Sequence, residues 1–283
     1  MKIPGIHHVT ALASDPQRNL DFYTGVLGLR LVKLTVNFDD PGTYHLYYGN
    51  HEGTPGTIMT FFPWPAASRG SVGAGQVSEV SFAVPHGSTD HWARKLQKVP
   101  EADGSLLFAD PDGLPLRLEP SAAEAGHAIQ RIAGVKLEEK QTPATADLLT
   151  TAMGFEAYGN NSFRSLTDLV RLAQTSNARP GRMGAGTVHH VAFRAETEER
   201  QLEWQQLLKK RGLHVTEVLD REYFHSIYFR EPGGVLFEIA TDPPGFAVDE
   251  LPAELGTHLK LPPWLEPRRA EIEGKLPKLR LPI

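Results

Sequence analysis

The stretch Val188-His189-His190-Val191-Ala192-Phe193 decides how this chain is read, because Ile6-His7-His8-Val9-Thr10 writes the same pattern at the other end. Two strand-like segments follow the second doublet: Tyr223-Phe224-His225-Ser226-Ile227-Tyr228-Phe229-Arg230 and Val235-Leu236-Phe237-Glu238-Ile239. The later one carries a carboxylate between Phe and Ile. A buried, unpaired carboxylate costs at least several kcal/mol, so Glu238 needs a partner, either a salt bridge or a metal ion. Two histidines and one carboxylate, brought together by a repeat, would make a metal site with open positions.

The repeat extends beyond the doublets. Ala74-Gly75-Gln76-Val77-Ser78-Glu79-Val80-Ser81-Phe82 matches Ala185-Gly186-Thr187-Val188-His189-His190-Val191-Ala192-Phe193 in its apolar positions. The segment from Asp110 to Leu118 matches Arg230 to Ile239 once Gly113 is set on Gly234. Helices fall between such strands. Asp15 caps and Pro16 opens one that carries Leu20, Tyr23, Val26 and Leu27 at helical spacing and stops at Gly28. Ala144 to Met153, followed by Gly154, repeats this plan. Glu196 to Arg211 ends at Gly212, with Leu202, Trp204, Leu207 and Leu208 as its apolar side, and Thr89 to Lys98 is a fourth helix. The order strand, helix, several strands thus occurs four times, beginning near Ile6, Val77, Ile129 and Val188, which predicts an α+β protein. Residues 1–122 are expected to form one half and 123–248 the other, with a seam near Ser121 to Gly126. Residues 249–283 read as an arm packed on the body. Leu261, Trp264, Leu265 and Ile272 are too apolar for a solvated tail, and a short helix is expected from Leu265 to Gly274.

Composition narrows the chemistry. With 283 residues, 40% hydrophobic and 22% charged, the chain is long enough for two ordinary domains and has the balance of a globular protein. Cysteine is absent, which excludes disulfides, thiolate catalysis and cysteine–zinc sites. The formal net charge of −5 comes with no basic block before the tail, so no nucleic-acid partner is expected. No apolar run is long enough to span a membrane and the start lacks the core of a signal peptide, so a cytoplasmic enzyme is expected. Monomer and homo-oligomer stay equally open.

Strand alternation places the side chains. Val235, Phe237 and Ile239 share an apolar face and Glu238 takes the other. His190 is expected with Val188 and Ala192, and His189 with Val191 and Phe193. Tyr228 shares a face with Phe224, Ser226 and Arg230, free to face a cup, whereas His225 reads as structural or surface-exposed. Tyr44, His45, Tyr47 and Tyr48 read as a packed strand, and Asp220 and Asp242 as turn residues.

Gly5-Ile6-His7-His8-Val9-Thr10, Met59-Thr60-Phe61-Phe62-Pro63-Trp64-Pro65, Val188 to Phe193, and Arg221 to Arg230 through Glu238 together resemble the vicinal oxygen chelate superfamily (glyoxalase, bleomycin resistance, extradiol dioxygenase), over nearly the whole chain. The resemblance implies four βαβββ modules paired into two cupped mixed sheets, the vicinal oxygen chelate fold. Within the superfamily the chain is most similar to ring-cleaving dioxygenases that open hydroquinones, an aromatic-degrading group dependent on Fe(II). That resemblance puts the metal ligands on His8, His190 and Glu238, and pocket residues on Arg221, Tyr228, His7, Thr10 and His189. It implies Fe(II) as cofactor, with Mn(II) or Zn(II) as other occupants such ligands accept, and a small aromatic substrate and O2 as partners. Three protein ligands with open positions suit non-haem Fe(II).

Aligning the modules then places Glu79 where His190 sits, Arg117 where Glu238 sits and Arg131 where His8 sits. Two cations and an anion bind each other, so one live cup, from the first and fourth modules, and one silent cup are expected. Setting Gly56 on Gly234 puts Thr60 at the first-module counterpart of Glu238, where glyoxalase-type isomerases of the superfamily carry a second carboxylate. A metal-dependent isomerase or lyase is therefore the alternative activity, with Thr60 against it. A non-enzymatic resistance-type binding protein is the other alternative, with the complete triad against it.

Overall fold

Thr197 and Asp15 show how directly the chain writes its elements. Each caps a helix with its side chain, Asp15 accepting from the Arg18 N–H and Thr197 from the Arg200 N–H. The structure is a computed structural model that describes residues 1–121, 126–175 and 181–281. The first module comprises β1 (Ile6–Ala13), α1 (Pro16–Leu20), β2 (Arg30–Asn37), β3 (Asp40–Gly49) and β4 (Ile58–Pro63). The second comprises β5 (Gln76–Pro85), α2 (Thr89–Leu96), β6 (Leu106–Ala109) and β7 (Pro115–Ser121), one strand fewer than the repeat predicts. The third runs through β8 (Arg131–Glu139), α3 (Pro143–Asp147), β9 (Glu156–Ala157), β10 (Ser162–Arg164) and β11 (Leu169–Gln174). The fourth holds β12 (Val188–Ala195), α4 (Glu198–Lys210), β13 (Leu219–Asp220), β14 (Phe224–Arg230) and β15 (Leu236–Pro244). Most of the seam expected between the halves lies outside the described residues.

Two mixed sheets form, as the α+β reading expects. The first has the order β13-β14-β15-β12-β1-β4-β3-β2 and the second β6-β7-β5-β8-β11-β10-β9. Each sheet joins two modules through their first strands, β1 antiparallel to β12 and β5 antiparallel to β8. Modules one and four therefore build one cup, and modules two and three the other. The central strand β1 is buried along its whole length, which explains why, outside the doublet, all its residues but Thr10 are apolar.

Helix ends and faces deviate locally from the sequence reading. After α1 and α3 the chain continues in wider π turns, Asp21–Val26 and Leu148–Ala152, before Gly28 and Gly154 close each segment at φ of 72° and 75°. On α4 the buried residues are Gln201, Trp204, Gln205 and Leu208, while Leu202 is exposed. Gln201 is buried because its Nε2 donates to the carbonyls of His225 and Ile239, tying the helix to β14 and β15.

Beyond β15 the chain crosses β2 and β3. Lys33, fully buried on β2, reaches Asp249 at 2.5 Å and Glu250. Arg30 donates to the carbonyls of Pro252, Ala253 and Leu255. Leu261, Leu265 and Ile272 join the main core, with a short helix α5 (Arg269–Lys275). Trp264 stays half exposed against Phe38.

Candidate metal centre

Both histidine doublets sit on β-bulges. Along β1 and β12 the pairing steps from Ile6↔Phe193 to His8↔Ala192, and again from Thr10↔His190 to Ala11↔Val188. His7 and His189 are the extra residues. A bulge puts an unpaired residue into the strand and re-aims its neighbours, so strict alternation fails here. His189 does not join Val191 and Phe193 in the core but lines the same cavity as His190.

The second histidine of each doublet converges on Glu238, which lies beside Ala192 across β12 and β15. Nε2 of His190 is 2.8 Å and Nε2 of His8 3.4 Å from Glu238 Oε2, and the two Nε2 atoms are 3.3 Å apart. All three residues are buried. Ser226 Oγ donates to Glu238 Oε1 at 2.5 Å. Oε2, in contrast, is buried with no hydrogen-bond partner of acceptable geometry. An oxygen left so between two imidazole nitrogens fits a shared cation, and ligand bonds of about 2.0–2.2 Å would span such separations. His8, His190 and Glu238 can thus hold a metal ion together.

The other ring nitrogens point to the neighbouring histidines. Nδ1 of His8 lies 2.9 Å from Nδ1 of His7, and Nδ1 of His190 lies 2.7 Å from Nδ1 of His189. One hydrogen serves each contact. Placing it on the His8 and His190 side leaves both Nε2 lone pairs facing Glu238, the tautomer metal ligation requires. Burial, with His8 nearby, holds His7 neutral well below its ordinary range, and burial lowers His190 as well. Burial together with His190 brings His189 down to about 3. Burial by itself would raise the Glu238 carboxyl, but His8 and His190 outweigh it and hold the group well below the usual range. An ionised carboxylate between two imidazole rings is the donor set of a metal site.

A cavity of about 340 Å³ opens above the triad. Tyr228 stands directly across β14 and β15 from Glu238, with its ring 5.8 Å from that of His190. Burial and Glu238 push its phenol up, so it stays protonated. Arg221 lines the mouth, bonded through Nη1 to Asp39 Oδ2 at 3.1 Å, with its guanidinium 5.5 Å from the Tyr228 ring centre. Phe62, Trp64 and Phe224 form apolar walls.

His45 and Tyr47 also line the cavity, whereas Tyr44 and Tyr48 pack in the core. The packed-strand reading of Tyr44 to Tyr48 therefore holds for only part of it. His45 Nε2 lies 2.8 Å from Thr60 Oγ1, which is 2.9 Å from Thr10 Oγ1. Thr10 and Thr60 are buried together behind the cavity, and His7 lies behind His8, so neither His7 nor Thr10 forms its wall. Thr60 pairs with Thr10 as Glu238 pairs with Ala192, which gives it the first-module place opposite Glu238 and fills that corner with a neutral hydroxyl. His225 pairs with Glu198 at 3.0 Å away from the site, and Asp242 forks onto Arg194. Ser226, His45 and Asp39 went unnoticed in the sequence as site residues. Ser226 shares alternation with Tyr228, which was the signal available for it.

The other sheet carries the same two bulges with different residues. Glu79 faces Lys136 as His190 faces Thr10, and Ser81 faces Gly134 as Ala192 faces His8. Gly134, not Arg131, is the counterpart of His8. A Cβ there would meet the Leu169 carbonyl oxygen at 2.2 Å, so no side chain fits. Arg117 forks onto Glu79 at 2.8 and 3.1 Å, Arg171 pairs with Glu119, and Arg131 lies 3.5 Å from Asp168. This cup is closed by ion pairs, but with a different second arginine from the one expected.

Comparison with known proteins agrees with this geometry. The protein MhqO of Bacillus subtilis (strain 168), whose name places it among ring-cleaving dioxygenases, is 50% identical over 98% of this chain and 97% of its own. The chlorohydroquinone/hydroquinone 1,2-dioxygenase of Sphingobium indicum is 34% identical over 96% of this chain and 95% of its own. A crystal structure of a Bacillus subtilis protein described as a dioxygenase superposes with a TM-score of 0.92 at 46% identity, covering 99% of both chains. Glyoxalase I from Zea mays shares the fold, with a TM-score of 0.62 at 13% identity over 84% of this chain and 92% of its own. The model of one family matches residues 5–118 and again 131–239, each match holding one module of each cup, and on this ground the chain belongs to the Glyoxalase/Bleomycin resistance protein/Dioxygenase superfamily.

Proposed function

We propose that this chain is an Fe(II)-dependent, extradiol-type ring-cleaving dioxygenase that opens hydroquinone-like phenols with O2. The observation that carries the reading is the convergence of His8, His190 and Glu238 beneath an aromatic-walled cavity of about 340 Å³, a size for a one-ring substrate. The relative named for chlorohydroquinone and hydroquinone supports the substrate class. Thr60, a neutral hydroxyl opposite Glu238, argues against isomerase chemistry, which needs a second carboxylate there.

Held by the triad, iron would supply the Lewis acidity and one-electron chemistry that let a phenol react with O2. The chain's own residues do the rest. Phe62, Trp64 and Phe224 exclude water and pack against the ring. Arg221 offsets negative charge on the substrate oxygen, and the protonated Tyr228 Oη donates a hydrogen bond to it. His7 and His189 hold His8 and His190 in the ligating tautomer. In the overall reaction the bond between the hydroxylated ring carbon and its neighbour breaks. Both atoms of O2 enter the product, completing a carboxylic acid on one carbon and an aldehyde on the other, with no further reductant.

Metal analysis of anaerobically purified protein, followed by oxygen consumption with hydroquinone and catechol, tests this. Bound iron and O2 uptake with hydroquinone are expected, and Glu238→Ala should lose both. Wild-type iron content and rate in Glu238→Ala would sink the assignment.

A further inference from the structure

A second cavity, of about 410 Å³, lies back to back with the metal cavity, and the two share Trp64, His189 and Leu236 in their walls. Its remaining surface comes from both sheets and is mostly apolar, with Val77, Met183 and Val235 among its walls. Two polar groups interrupt that surface. Arg230 donates through Nη1 to the Gly234 carbonyl at 2.8 Å, and among the described residues no carboxylate pairs with it. Gln76 is 6% exposed, and its Oε1 is buried without a partner. Among the described residues no Asp or Glu lines this cavity, whereas the mouth of the metal cavity carries Asp39.

We infer that this second cavity binds an apolar carboxylate, with the anion at Arg230 and a donor of the ligand at Gln76 Oε1. A guanidinium without a carboxylate partner at an apolar cavity recognises a small organic anion, since a carboxylate gains charge-assisted hydrogen bonds there without displacing an internal ion pair. Resting on the ring-cleavage reading, the ligand is the ring-opened product. Ring opening converts a neutral phenol into a carboxylate that retains a hydroxyl donor, and the new charge matches the back cavity better than the mouth guarded by Asp39. His189 and Leu236, both only partly buried, form the partition the product passes.

Calorimetric titration of the anaerobically purified protein with benzoate and, separately, with benzyl alcohol tests the site. Arg230→Gln, a change at an exposed side chain, should weaken benzoate at least tenfold and leave benzyl alcohol unaffected. Arg221→Gln, which removes the cation of the metal cavity, should leave benzoate affinity within about twofold. Benzoate binding indifferent to Arg230→Gln, or abolished by Arg221→Gln, overturns the inference. Oxygen uptake with hydroquinone, measured on the same protein, separates this result from the reaction. Arg230-dependent benzoate binding without O2 uptake keeps the anion site and removes the ring-cleavage reading.

Discussion

Glu79 and Glu238 occupy strands of the same repeat, and their partners decide what each does. Glu238 lies between two imidazoles with one oxygen unpaired, whereas Glu79 takes both arms of the Arg117 fork. Glu79→Ala should therefore cost about 1.5–3 kcal/mol of stability, the worth of a charged hydrogen-bonded pair, with metal content unchanged. Chemical denaturation beside metal analysis checks both halves, and iron lost from a folded Glu79→Ala would refute the silent-cup reading. At this scale the triad was legible because histidine doublets and a carboxylate inside an apolar strand are rare and conspicuous. Gly134 was not legible as the counterpart of His8. A missing side chain leaves no motif, and the bulges shift the register by which modules must be compared.

The clearest element-scale device is the clamp that holds the C-terminal arm. Lys33 is fully buried on β2, faces the Tyr223 ring at 4.8 Å and is neutralised by Asp249 and Glu250. Removing one member of a buried ion cluster leaves the others unpaired, at a cost of about 3–5 kcal/mol. Lys33→Ala should lower the unfolding free energy by that much, read as a fall in the denaturant midpoint, and limited proteolysis should then cut first beyond Asp249. A wild-type midpoint would show that the arm docks through Leu261, Leu265 and Ile272 alone. The arm also reaches the metal cavity through contacts, since Trp264 packs on Phe38, beside Asp39 at the mouth. Helix limits were legible from caps and glycines. The buried face of α4 was misread at Leu202, because Gln201 is drawn inward by two backbone carbonyls that no periodicity reveals.

Across the whole molecule, the third and fourth modules meet at Glu139, at the end of β8. The Thr145 hydroxyl, in α3, lies 2.9 Å from Glu139 Oε2 and 2.5 Å from Glu231 Oε2, in the turn before β15. A hydroxyl has one hydrogen to give, so one of these carboxyls must carry a proton. Burial, with Glu231 nearby, raises Glu139 to about 8, and burial raises Glu231. The unfolded chain binds fewer protons than the folded one between the ordinary carboxyl value of 4.5 and about 8. This contribution to stability is therefore present in full at low pH and lost as pH rises through that window, by at most about 1.4 kcal/mol per pH unit. Urea midpoints from pH 5 to 8.5 should fall less steeply in Glu139→Gln than in wild type, and parallel slopes would exclude the pair as their source. From the residues alone came the repeat, the helix caps, the α+β class and the expectation of a site built from two histidines and a carboxylate, all of which are local patterns imposed by side-chain chemistry and period, while the choice of His8 and His190 within their doublets came with the family resemblance. Module pairing across the sheets, the bulges that re-aim His8 and His190, the cavity walls from His45 and Asp39, and the orphaned Glu238 oxygen came only with the folded chain. Each of these depends on which strands lie side by side and in what register, and that is settled by packing between segments up to the full length of the chain apart.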